Sequence, residues 1–168
     1  MRIAGICLVA ALMFVPGAHA QGVRTIFFVR HADKVSDETD AVLSDAGLRR
    51  AACLAKTLAH ARIQQIYTSE LQRTQQTAAP LAEQLRLKPV PIPLAKVDDL
   101  IAALRADKAA NILVVWHDAT LPKILSALGA PEITPIGHTE YDRFFILTLD
   151  SGNNNSHPRL VELLYCDE

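Results

Sequence analysis

Two short stretches hold unbroken runs of apolar residues, "IFFV" at Ile26 to Val29 and "ILVVW" at Ile112 to Trp116. A strand with one face in water alternates polar and apolar positions, whereas a strand apolar at consecutive positions is covered on both faces. Covering both faces of a sheet takes helices on either side, and the segments between these runs supply helical patterns. Strand and helix therefore alternate. The pattern predicts an α/β fold, a three-layer sandwich around a mostly parallel central sheet.

The individual elements follow from local chemistry. "VRTIFFV" is the first strand. "LSDAGLRRAACLAKTLAHARI" reads as a helix, with Ser44 as its cap and Asp45 suited to its positive end. "QQIYTS" is a second strand. Ser69 and Gln72 have the spacing of a capping box for the next helix, in which Leu71, Thr74, Ala78, Leu81 and Leu85 share a face. "KPVPIPL" is extended and broken by prolines, "VDDLIAALRAD" is a helix, and "NILVVWH" is a buried strand. The next helix runs through "LPKILSALG", where Pro122 fits only in the first turn. "RFFILTLD" and "RLVELLYC" predict a terminal hairpin or two edge strands around "SGNNNSHP".

The start of the chain has a different character. Met1-Arg2 carries a positive charge, Ile3 to Val15 is apolar and uncharged, Pro16-Gly17 breaks the run, and "AHA" precedes Gln21. That order is the order of a secretory signal peptide, with cleavage expected after Ala20. Residues 1–20 are thus read as a signal peptide, which takes Cys7 with it, and residues 21–168 as one catalytic domain. The apolar run falls short of the ~20 residues that span a bilayer, so no stable membrane anchor is expected and the protein is placed outside the cytoplasm, periplasmic or secreted.

The 168 residues carry 17 basic and 18 acidic side chains, a net charge of −1. That balance offers no nucleic-acid surface. Of three cysteines, Cys53 and Cys166 lie beyond the signal segment. An oxidising compartment allows them to pair, and a small buried free cysteine is as ordinary. The sequence leaves both open.

In sheets of this kind, ligands sit beyond the carboxyl ends of the strands. Arg30 and His31 follow the first strand, Ser69 follows the second, with Arg73 one helical turn on, and His117-Asp118 follows "ILVVW". Each is unremarkable by itself: a histidine after a strand is commonly a loop residue, and an arginine in a first helical turn commonly pairs with a surface acid. Their joint placement at one sheet edge points to chemistry. Arginine presents a planar fork that fits phosphate oxygens. A neutral imidazole can attack phosphorus, a protonated one can stabilise the transferring oxygens, and a carboxylic acid can protonate a leaving alcohol. The set suits a phosphate monoester.

Four motifs in order resemble the histidine phosphatase superfamily, the phosphoglycerate-mutase-like fold. "VRHADK" is similar to its Arg-His-Gly motif, and "LSDAGLRRA" resembles its helix start. "YTSELQRTQQTA" is similar to its Ser-x-x-x-Arg-x-x-x-Thr-Ala segment, and "ILVVWHDATLPKIL" resembles the segment with the second histidine. The resemblance implies His31 as the phosphorylated nucleophile, Arg30 and Arg73 on phosphate, His117 as the second catalytic histidine, and no metal or cofactor. Ala32 stands where that family has Gly, and Trp116 where it often has Gly, so the pocket wall or the strand packing must differ there. "HDATL" and "RHADK" are closer to the acid-phosphatase branch, which implies Asp118 as general acid and Lys34 as a further phosphate ligand. For Asp118 the competing role is a helix N-terminal acid; for Lys34 it is a solvated loop lysine. Asp98 and Asp99 are the remaining candidates for the acid.

The function expected is a metal-independent phosphomonoester hydrolase acting through phosphohistidine. Its substrate would be a phosphorylated small molecule, an envelope sugar phosphate or a phosphoprotein. Little chain separates Arg73 from His117 for a lid, which favours a phosphatase over a mutase. Two other readings compete: a non-catalytic exported protein that binds phosphorylated ligands on the same fold, kept open by Trp116, and a metallohydrolase using "HAD" and "HD". The two arginines oppose a cation in the same place.

Overall fold

The structure is a computed structural model that describes residues 22–150 and 157–166. The signal-peptide reading of residues 1–20 falls outside them. Six strands form one sheet: β1 (Val23–Arg30), β2 (Gln65–Thr68), β3 (Val90–Pro91), β4 (Asn111–Trp116), β5 (Arg143–Asp150) and β6 (Arg159–Leu164). Their spatial order is β3-β2-β4-β1-β5-β6. The pairings β1 with β4, β4 with β2, and β2 with β3 are parallel. The pairs β1–β5 and β5–β6 are antiparallel, which realises the terminal hairpin and leaves β6 at the sheet edge.

Four helices cover the sheet: α1 (Asp45–Leu58), α2 (Gln72–Leu85), α3 (Val97–Ala106) and α4 (Leu121–Ala127). α1 and α2 pack on one face, where Leu54, Leu58, Ala78 and Leu81 meet Val29, Leu113 and Val115. α3 and α4 pack on the other, where Leu100, Leu104, Ile124 and Leu125 meet Ile26, Phe28, Ile112 and Val114. Successive residues of β1 and β4 thus point into different cores, so both faces had to be apolar.

The helix starts show where sequence pattern holds and where it fails. Ser44 caps α1, accepting from the Gly47 backbone N–H. α1 stops at Leu58, shorter than the pattern through Ile63 suggested. Pro122 lies in the first turn of α4, as steric fit requires. The capping box at Ser69–Gln72 does not form. The Gln72 N–H goes instead to Asp40 Oδ1 at 2.7 Å, and the Gln72 side chain to Asp40 Oδ2. An acid 32 residues away does the capping, which frees Ser69 for other partners.

The even alternative for the cysteines is decided: Cys53 and Cys166 form a disulfide, with Cα atoms 6.1 Å apart. It fastens the end of the chain to α1.

Candidate active site

β1 and β4 are neighbours in register, with Arg30 opposite Trp116. The His31 N–H donates to the Trp116 carbonyl at 2.9 Å. His31 and His117, each one residue past a strand end, therefore lie side by side, their rings edge-on with centroids 5.3 Å apart. β2 ends one residue before Ser69, and α2 carries Arg73 in its first turn. Arg30, His31, Lys34, Arg73, His117 and Asp118 all line one open cavity of about 590 Å³. The residues singled out in the sequence are brought together. Leu94, Ala119, Thr120, Ile136 and His138 complete its wall.

His31 is held from behind. Its Nδ1 lies 2.8 Å from the Ala32 carbonyl oxygen, which can only accept, so Nδ1 carries the proton and Nε2 keeps its lone pair. Burial lowers the His31 pKa to about 4, with the charges of Arg30 and Arg73 adding to it and the Ala32 hydrogen bond opposing it. The imidazole is neutral at ordinary pH. Its loop is fixed twice more: the Ala32 N–H donates to Thr77 Oγ1 at 2.9 Å, and the Asp33 carbonyl accepts from the Ser44 N–H at 2.9 Å.

His117 is held from two sides. Its Nε2 is 2.9 Å from Ser69 Oγ and its Nδ1 is 3.4 Å from Arg73 Nη2. Burial, then the neighbouring His31 and the two arginines, lower its pKa to about 3.

Each arginine has one committed end and one open edge. Arg30 Nη1 donates to the carbonyls of Gly137, His138 and Glu140 at 2.8 to 3.1 Å, and its guanidinium stacks on Tyr141, 4.2 Å from the ring centre. Its Nη2 pairs with Asp118 Oδ2 at 2.9 Å, and its Nε is buried without a partner. Arg73 Nη1 is taken by the Thr39 carbonyl, and its Nε is also buried without a partner. In both, Nε–H and Nη2–H form the edge of the fork not spent on backbone, suited to two oxygens of one anion. Lone buried donors are costly unless a ligand serves them.

The remaining candidates separate. Asp118 lies in the cavity with its carboxylate on Arg30, close to His138 as well (3.9 Å). Lys34 lines the cavity, but its Nζ is held by Asp37 at 2.7 Å. Asp98 and Asp99 are not in the wall: they pair with Lys123 and Lys96 on the exposed side of α3. Trp116 is fully buried and packs into the core under α4, not into the cavity. The change from glycine is absorbed by strand packing because the residue before His117 points to the opposite side of β4.

Several functional partners escaped sequence reading. Tyr141 and His138 sit in the irregular segment after α4, where no period marks them. Asp40 acts across a loop. Thr77 was within a quoted motif, and its place four residues after Arg73 puts both on one face of α2; its hydroxyl donates to the Arg73 carbonyl. Among the described residues, no three His, Cys, Asp or Glu side chains gather as a metal-ligand set.

The model of the histidine phosphatase superfamily, branch 1, matches residues 26–96. That stretch contains His31 and Arg73 and ends before β4. No curated protein matches. Solved structures match over nearly their whole length. The protein histidine phosphatase SixA, complexed with tungstate, is 25% identical, with a TM-score of 0.64 over 83% of this chain and 96% of that one. A mycobacterial glucosyl-3-phosphoglycerate phosphatase with inorganic phosphate is 17% identical, with a TM-score of 0.67 over 82% and 95%. The α-ribazole phosphatase of Shigella flexneri is 17% identical, with a TM-score of 0.67 over 83% and 96%. The last two speak to the fold alone. The matched segment carries the first histidine and the second arginine, and the sheet brings β4 with the second histidine beside them; over residues 26–96 the chain matches the histidine phosphatase superfamily, branch 1.

Proposed function

We propose that the protein is a phosphomonoester hydrolase that works through a phosphohistidine on His31. The observation that carries this is the state of His31: Nδ1 donates to the Ala32 carbonyl, so the Nε2 lone pair is free. Two arginines, each with a buried Nε–H that has no partner, support an oxyanion beside it.

In this reading the phosphate takes the Nε–H and Nη2–H edges of Arg30 and Arg73 and displaces the Asp118 carboxylate from Arg30. His31 Nε2 attacks phosphorus, an N–P bond forms and the P–O bond to the alcohol breaks. His117, protonated in the complex, neutralises charge on the transferring oxygens. Asp118, in its acid form, gives its proton to the departing oxygen. Water then attacks phosphorus, its proton passes to Asp118, and the N–P bond breaks to restore His31. Lys34 can leave Asp37 to meet an anionic substrate. No step uses a metal or cofactor.

The cavity opens to water, which favours hydrolysis over transfer to a second hydroxyl. Its mouth suits a phosphorylated small molecule, an envelope sugar phosphate or a protein-borne phosphate. We also propose export: the N-terminal pattern and the Cys53–Cys166 disulfide support an oxidising destination. No helix of the described residues is long and apolar enough to cross a membrane.

The test is a phosphatase panel over those three substrate types, with and without chelator, on the wild type, His31→Ala, Arg73→Ala and Arg73→Lys. Release of phosphate that survives chelation and is lost in His31→Ala is expected, with acid-labile phosphate on the protein after quenching. Arg73→Ala should lose at least about tenfold in kcat/KM, since a hydrogen bond to a charged group is worth roughly 1.5–3 kcal/mol, and Arg73→Lys should not restore it fully. Unimpaired hydrolysis by His31→Ala would overturn the mechanism. Phosphate binding without any hydrolysis would turn the protein into a binding module.

A further inference from the structure

Ser69 was freed from helix capping, and its hydroxyl is spent inside a closed chain of hydrogen bonds. Thr74 Oγ1 lies 2.8 Å from the Leu71 carbonyl and 3.1 Å from the Ser69 carbonyl. Carbonyls only accept, so the Thr74 hydroxyl proton goes to one of them. Ser69 Oγ is 2.9 Å from Thr74 Oγ1, and with the Thr74 proton committed, Ser69 must be the donor in that pair. The reverse would set the Thr74 lone pairs against two carbonyl oxygens. Ser69 Oγ also receives the Leu71 N–H at 3.2 Å. Toward His117 it has only a lone pair left. The His117 Nε2, 2.9 Å away, must therefore carry a proton.

The other side of the ring agrees, through a longer and weaker contact of 3.4 Å. Arg73 Nη2 is a donor only, so His117 Nδ1 meets it as an acceptor. Ser69 and Thr74 are both fully buried, so water does not offer alternatives. With these partners His117 is the neutral Nε2–H tautomer, with the Nδ1 lone pair on the side of Arg73.

That state is wrong for holding an anion, because a lone pair would face oxygen lone pairs. We propose that Ser69 is a positioning residue that fixes the His117 tautomer, and that an oxyanion entering the site is captured together with one proton from water, which adds to His117 Nδ1. The imidazolium then donates from Nδ1 to the anion and from Nε2 to Ser69. The groups around the ring are Arg73 from α2, Arg30 and His31 from the end of β1, and Asp118 after β4; all but Asp118 are basic, so the proton is unfavourable until a negative ligand arrives. This rests on the phosphate-site reading above, and the two parts of the test separate them.

The first part is ¹⁵N NMR of histidine-labelled wild type without ligand at pH 7. A pyrrole-type Nε2 and a pyridine-type Nδ1 on His117 are expected; an Nδ1–H tautomer or an imidazolium overturns the proposal. The second part is calorimetric titration of tungstate, a dianion, at pH 8 in two buffers of different ionisation enthalpy. Uptake approaching one proton per tungstate is expected, and binding without uptake overturns the proposal. Absence of any tungstate binding overturns the phosphate-site reading, and the NMR result then decides the tautomer alone. In Ser69→Ala, the imidazolium loses its acceptor: proton uptake at pH 8 should shrink, and kcat/KM should fall about tenfold or more. Should that variant not fold, Thr74→Val frees the Ser69 proton to turn toward Nε2 and should move His117 toward the Nδ1–H form. Unchanged tautomer and proton uptake in a folded variant of either kind removes Ser69 from the role.

Discussion

Removing the Cys53–Cys166 disulfide should cost the protein a large part of its stability while sparing the site. The bridge joins residues 113 apart in sequence. Closing a loop of that length restricts the unfolded chain, and the chain-entropy relation gives about 4.8 kcal/mol at 25 °C. For a domain of this size each kcal/mol moves the melting temperature by roughly 2–4 °C, so the loss is roughly 10–20 °C. The folded state should change little beyond the chain end. Tyr165 stays buried against Phe144, and Arg50 still joins the Cys166 carbonyl to Asp33. The assay is thermal unfolding followed by circular dichroism, on wild type with and without reductant and on Cys53→Ser/Cys166→Ser, with turnover at 25 °C measured alongside. Reduced wild type and the double variant should melt together, well below the oxidised protein, and should keep their turnover. A shift under about 3 °C, or two free thiols titrated in the unreduced native protein, would refute the reasoning. Loss of turnover before any loss of fold would show that the bridge acts on the site.

Asp118→Asn should slow alkyl phosphates by roughly 10²–10⁴ and p-nitrophenyl phosphate much less, because nitrophenolate leaves without a proton; equal losses on both would end the general-acid assignment. Gly47→Ala should destabilise by about 1–3 kcal/mol, since a Cβ there would lie 2.1 Å from the Asp33 carbonyl oxygen. It should also lower kcat, because that carbonyl belongs to the loop that carries His31; a chemical-denaturation curve matching wild type would contradict it. With the folded His31 pKa near 4 against an ordinary 6.5, the unfolded chain binds more protons between those values. The His31 contribution to stability is then complete above pH 6.5 and lost as pH falls toward 4. Urea unfolding from pH 7 to 4 should show wild type losing stability more steeply than His31→Gln; parallel curves would mean that His31 is not buried neutral.

The apolar runs of β1 and β4 dictated a sheet covered on both faces, and with the helical patterns between them they dictated layers and strand direction. Residues just past strand ends could be placed together for the same reason: in a parallel sheet all such ends lie on one edge. That logic reached Arg30, His31, Arg73, His117 and Asp118 because each sits at a fixed offset from a strand or in a helix's first turn. It could not reach contacts made by irregular chain. Ser69 looked like a helix cap from local spacing, but Asp40, distant in sequence, took that role and left Ser69 to His117. His138 and Tyr141 approach Arg30 from the segment 128–142, which has no helix or strand and whose path depends on three carbonyls meeting one guanidinium. Trp116 was legible as a departure, yet only the register of β4 told which face it filled. The pairing of Cys53 with Cys166 needed the end of the chain to return to α1. Sequence by itself determined periodicity and offset, because these depend on the geometry of one element. The surroundings of the His117 ring were decided only by tertiary structure, because Ser69 and Arg73 are distant in sequence and folding alone brings them within 3.5 Å of it, whereas His31 Nδ1 meets the carbonyl of the adjacent Ala32.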